Sequence, residues 1–181
     1  MEAKTNPTEL GKKLRFQGSE IVDVQAPNGK TIACAKQGSV LVPIDKVAIY
    51  AMGKVKKYPE DELRRLQELK QKNRKSFDAN PENKRRLKEI MKLKYNDERS
   101  QEMLESIKKI GIADSVDGIS PIIAHLLSVG EEVDVQSPVR HPGKLEGPLG
   151  NLKVLSTWTV LPDGMRYLSS MNFIPQKEEN E

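Results

Sequence analysis

The chain has a single cysteine, Cys34, so no disulfide can form within it, which accords with a reducing compartment. It has two histidines, His125 and His141, and no Cys/His pair at metal-ligand spacing, which argues against a zinc site. One Trp, four Tyr and three Phe make up 4% of the residues. Any core must therefore be aliphatic, and no aromatic platform of the kind that RNA-recognition sheets stack bases on is present. The longest apolar runs, such as 122–127 interrupted by His125, fall far short of the roughly 20 residues a bilayer span needs. Residues 1–13 are polar and lack the apolar stretch of a secretory signal. We expect a soluble, intracellular protein with no membrane contact.

Catalytic motifs are missing as well. The glycine-rich run at 143–150, GKLEGPLG, lacks the order of a phosphate-binding loop. It precedes a strand pattern rather than opening a helix, so its amides would not converge on a phosphate. We read it as a flexible connection, with a binding loop as the alternative. Cys34 lies on the apolar parity of its strand and reads as a small core residue. His125, inside an apolar helix, reads as a core or interface histidine. No catalytic residue, metal ligand or cofactor is assigned, and an enzyme ranks third among the functions considered.

What the chain does have is charge, unevenly placed. Residues 53–95 carry 15 Lys and Arg against 7 Asp and Glu, within a whole chain of only +4. Residues 96–181 carry 8 basic against 14 acidic. A polyanion responds to such a patch rather than to the total. Lys54, Lys56 and Lys57 precede a helical pattern bearing Arg64, Arg65, Lys72 and Lys75. A second pattern bears Lys84, Arg85, Arg86, Lys88, Lys92 and Lys94. We take these thirteen as candidate nucleic-acid contacts. They would engage the phosphate backbone through counterion release, with low sequence specificity. The alternative partner is an acidic protein surface, with the chain as a structural subunit of a large assembly such as a virion. Homo-oligomers or larger complexes fit either case. The bland alternative is a solvated helix face in which Lys and Arg pair with Glu.

The expected fold is α+β, with antiparallel β regions at both ends flanking short central helices. Five segments follow: a flexible arm at 1–13, a β region at 14–53, a basic helical middle at 54–130 ending in a short buried helix, a second β region at 131–175, and an acidic tail at 176–181. In the first β region, 21–25 and 31–36 flank Ala26-Pro27-Asn28-Gly29-Lys30. The turn chemistry predicts a hairpin with a G1 bulge, pairing Val24 with Ile32 and Val22 with Cys34. A strand is expected at 39–44, and another at 47–51.

In the middle, Pro59 and the acidic triplet behind it start one helix, and Asn80-Pro81 starts a second. Asn96 is expected to cap a third that stops at Gly111, and Ser120-Pro121 to start a fourth that ends at Gly130. Downstream, 133–136 reads as a strand, 141–151 as a loop, and 152–161 with 165–174 as a hairpin. That hairpin has two registers open: Trp158 beside Tyr167, or beside Leu168. The segments EIVDVQAP at 20–27 and EEVDVQSP at 131–138 resemble one another. They suggest either two related small β modules around the helices, or one barrel or sandwich built from both regions.

Overall fold

Among the residues the structure describes, 7–137 and 140–175 of a computed structural model, the chain runs α1 (Pro7–Phe16), β1 (Glu20–Gln25), β2 (Thr31–Gln37), β3 (Val40–Pro43) and a π-helical turn (Lys46–Tyr50). It continues through α2 (Glu60–Lys72), α3 (Arg74–Asp78), α4 (Pro81–Lys109), α5 (Val116–Glu131), β4 (His141–Gly147), β5 (Gly150–Val160) and β6 (Arg166–Pro175). The fold is α+β. The strands from the two ends join in one six-stranded sheet, ordered β1-β2-β3-β6-β5-β4. The two β regions are thus neither separate modules nor a sandwich. Each is an antiparallel meander, and they meet where β3 and β6 run parallel at Val40↔Arg166 and Leu41↔Tyr167.

The first hairpin has the register its turn dictates, Val24 opposite Ile32 and Val22 opposite Cys34. Asn28 Oδ1 accepts from Lys30 N at 3.1 Å, and Gly29 takes the positive φ of 81° that the bulge requires. The β5–β6 hairpin resolves in favour of Trp158 opposite Leu168. Thr157 pairs with Ser170, so Ser169 is an extra residue on β6. Such a bulge re-aims the side chains that follow it.

One face of the sheet carries the main core. Val40, Val42, Trp158 and Leu168 pack there with Leu10 and Leu14 of α1, Met103 and Ile107 of α4, and Ile119, Ile123 and Leu126 of α5. The Trp158 indole N–H is satisfied by Ser156 Oγ at 2.9 Å. The other face has a smaller cluster of Ala26, Cys34, Leu41 and Tyr167. Cys34 is fully buried there, and burial first, then Asp23, pushes its thiol up to about 11.

Several expectations are corrected. Residues 7–13 of the supposed flexible arm belong to α1, because Leu10 and Leu14, one turn apart, supply an apolar stripe to the core; residues 1–6 and the tail at 176–181 lie outside the described residues. The segment at 47–51 is helical rather than a strand. It buries Val47 and Ala48, and Ser100 Oγ donates to Tyr50 O at 2.5 Å. The second and third expected helices are one 29-residue helix, α4, about 44 Å long. Asn96 lies inside it, since the apolar stripe continues into Met103 and Ile107. α5 starts five residues earlier than expected, with Ser115 Oγ accepting from Gly118 N at 3.2 Å, and carries Pro121 inside it.

Residues 133–137 are irregular, so the two VDVQ segments differ in conformation. The glycine-rich stretch expected as a loop forms β4 and its turn into β5. Its glycines serve close approach: a Cβ on Gly143 would lie 2.8 Å from His125 Nε2, and one on Gly147 2.3 Å from Ile110 O. Gly130 likewise does not end α5, which runs to Glu131. A Cβ there would meet Val40 Cγ1 at 2.4 Å and Trp158 Cη2 at 2.7 Å, so glycine lets the helix lie against the sheet. No helix among the described residues is long and apolar enough to cross a membrane.

Candidate nucleic-acid interface

The basic middle folds around a small core of its own. Leu63 and Leu66 of α2, Phe77 of α3 and Ile90 of α4 are buried together, with Tyr58 and Leu87 half-buried beside them. The short α3 closes this unit. Asn73 Oδ1 accepts from Ser76 N at 3.0 Å, and Asn80 Oδ1 caps α4 by accepting from Glu82 N at 3.0 Å and Asn83 N at 3.3 Å. Leu69 of α2 and Met91 of α4 stay outside this core and are exposed at 44% each. The unit is thus docked on one side through α4, whose second half enters the main core.

The thirteen candidate cations divide into two sets. Lys54 Nζ meets Asp114 Oδ2 at 2.9 Å, both of them largely shielded, and ties the base of the unit to the loop before α5. Arg64 pairs with Asp61, and Arg85 with Glu82 and Glu89 at 2.6 and 2.7 Å. Arg86 holds Glu62 through Nε and Nη2, each at 2.7 Å, and so joins α4 to α2. The hydrogen bond from Arg86 holds the Glu62 carboxyl below its ordinary range, and the same bond raises the guanidinium. Lys94 pairs with Glu98 at 3.6 Å.

The remaining eight are Lys56, Lys57, Arg65, Lys72, Lys75, Lys84, Lys88 and Lys92. All are exposed, and none has a carboxylate within 4.0 Å among the described residues. Lys84, Lys88 and Lys92 recur every four residues on α4, forming a stripe with steps of about 6 Å along the axis. Because α4 is unbroken, the stripe continues onto Tyr95, 59% exposed, and Arg99. Sequence reasoning broke the helix at Asn96 and so passed over that continuation. It also passed over Lys46 and Arg140, which lie far away in sequence from the basic run.

The other residues considered fall elsewhere. Cys34 is a core residue. His125 packs from α5 toward Gly143, and its Nε2 is buried without a partner among the described residues. Burial lowers its pKa, so the neutral ring is favoured. Compared with known proteins, the chain matches no family model and no curated protein sequence.

Proposed function

We propose that this is a nucleic-acid-binding protein whose helical unit, α2 to α4, engages the phosphate backbone with low sequence specificity. One observation carries the proposal: after all ion pairs among the described residues are drawn, eight of the thirteen candidate cations, all of them exposed, have no carboxylate partner. Mixed-charge pairing is the ordinary fate of Lys and Arg on a solvated helix, and of the thirteen candidates it engages Lys54, Arg64, Arg85, Arg86 and Lys94. The rest would neutralise phosphates and release the counterions condensed on the nucleic acid, giving affinity that falls as salt rises. The sheet and its helices act as a rigid platform holding the unit at one end.

The test is retardation of generic single-stranded and duplex nucleic acid by the full chain across a salt series. Binding at low salt that is lost at high salt supports the proposal; no binding at low salt overturns it. A second reading, a subunit of a larger protein assembly, is favoured by the exposed Leu69 and Met91 on the same helices. It gains ground if the purified chain binds no nucleic acid but self-associates by mass measurement.

A further inference from the structure

Where β3 leaves β6, two cations take over the strand edge. Lys46 Nζ donates to Ser169 O at 2.6 Å, and Arg99 Nη2 donates to Met171 O at 2.6 Å. Both side chains line a cleft of about 180 Å³ with Tyr50 and Ser170. Neither has a carboxylate within 4.0 Å among the described residues. Burial first, then the positive charge of Arg99, lowers the Lys46 pKa. Two partly buried cations facing one space without a carboxylate partner favour an anion between them.

Arg99 also lines an adjoining cleft of about 390 Å³ between α4 and the β5–β6 strands, with Tyr95, Arg140, Thr157, Ser170 and Asn172. Arg99 Nη1 donates to the Tyr95 hydroxyl at 3.3 Å, which holds the exposed ring at the cleft rim. Two carboxylates, Glu98 and Glu102, also line the cleft, and Lys94 draws Glu98. The volume falls within the range of small-ligand sites, about 300–1,000 Å³.

We propose that these two adjoining clefts, which share Arg99, hold one nucleotide of a single-stranded nucleic acid, with the phosphate in the smaller against Arg99 and Lys46 and the base in the larger stacked on Tyr95. Thr157, Ser170 and Asn172 present hydroxyl and amide groups to the sugar or base edge. The strand continues along α4 over Lys92, Lys88 and Lys84, the same helical stripe that ends in Tyr95 and Arg99. Stacking is tolerant of sequence because every base has a π-face. The inference rests on the nucleic-acid reading above and adds to it the strand form and the place where a base is held.

The experiment is fluorescence anisotropy of the full chain with a labelled thymidine 12-mer, a duplex of equal length, and competing thymidine monophosphate. Tyr95→Ala should weaken single-strand binding about 5- to 100-fold, and Tyr95→Phe should restore it. Arg140→Gln, at an exposed position, should weaken it too and keeps the test open if Tyr95→Ala does not fold. Both should leave duplex affinity unchanged. Wild-type single-strand affinity in folded Tyr95→Ala and Arg140→Gln overturns the inference; if Lys84, Lys88 and Lys92 neutralisation still abolishes binding, the proposed function survives without it. Monophosphate bound as tightly as the 12-mer assigns the cleft to a free nucleotide and overturns the strand. If no nucleic acid binds at low salt, both proposals fall.

Discussion

Arg86 of α4 and Glu62 of α2, 24 residues apart in sequence, face each other through two parallel hydrogen bonds of 2.7 Å that join the two helices. The fork geometry matches a guanidinium to a carboxylate. We expect Arg86→Glu to place two carboxylates there and lower the melting temperature of the helical unit. The exchange Arg86→Glu with Glu62→Arg should recover most of that drop, as differential scanning calorimetry would show. Ile90→Ala, which hollows the core beneath that pair, should cost about 2–5 kcal/mol regardless of charge.

The division of the cations predicts unequal effects on binding. Replacing Lys84, Lys88 and Lys92 with Gln should leave the melting temperature near wild type, since all three are exposed and lack carboxylate partners among the described residues. The salt dependence of single-strand binding should flatten by about 2 in logarithmic slope, at roughly 0.7 for each phosphate no longer neutralised. Arg64→Gln and Arg85→Gln should change that slope less, because both guanidiniums already face carboxylates. Equal effects from the two sets would remove the distinction on which the proposed interface rests.

Gly130 brings α5 against the sheet. Gly130→Ala should force the helix away from Val40 and Trp158. Overpacking of this kind destabilises by about 1–3 kcal/mol, measurable by urea denaturation. Gly29→Asn, with nothing near its Cβ, should cost only the strain of a φ of 81°, which Asn tolerates better than most residues.

His125 makes stability depend on pH. Its pKa is lowered by burial from 6.5, so the folded chain keeps it neutral. As pH falls below 6.5, the unfolded chain takes up a proton that the folded chain refuses. Stability should fall from there until pH reaches the depressed folded value. Its buried Nε2 lacks a partner among the described residues, so His125→Leu should remove that fall, with a larger gain at pH 5 than at pH 8 in denaturant titrations. An unchanged pH profile in the variant would show that other groups govern it.

Cys34 is fully buried with its thiol pushed up to about 11. A thiol-specific reagent at pH 8 should leave the native protein unmodified, and label it only as fast as the chain opens. Rapid native labelling would place Cys34 at the surface.

How much was legible varied with how far each side chain's partner lay along the chain. The first hairpin's register was readable because Asn28, Gly29 and the alternation around them specify it locally. The Asn80 cap was readable for the same reason, since its partners are Glu82 and Asn83. Asn96 carried the same local signal and misled. A cap residue ends a helix only if the stripe beyond it has nowhere to pack, and Met103 and Ile107 pack in the main core. The glycines at 143 and 147 looked like flexibility because their neighbours, His125 and Ile110, come from other elements.

By itself the sequence determined the α+β class, the turn-driven hairpins, the helix start at Asn80-Pro81 and the concentration of positive charge at 53–95. These rest on backbone chemistry and periodicity within a few residues. Only the tertiary structure decided that the two β regions share one sheet, that α4 is unbroken, and which cations are engaged. Those outcomes depend on pairs far apart in sequence: Lys54 with Asp114, 60 residues away, Arg99 with Met171, 72 away, and Lys46 with Ser169, 123 away. The cleft beside β6 exists because β3 is too short to cover that edge, and side chains of the π-helical turn and α4 reach in where a strand would otherwise pair.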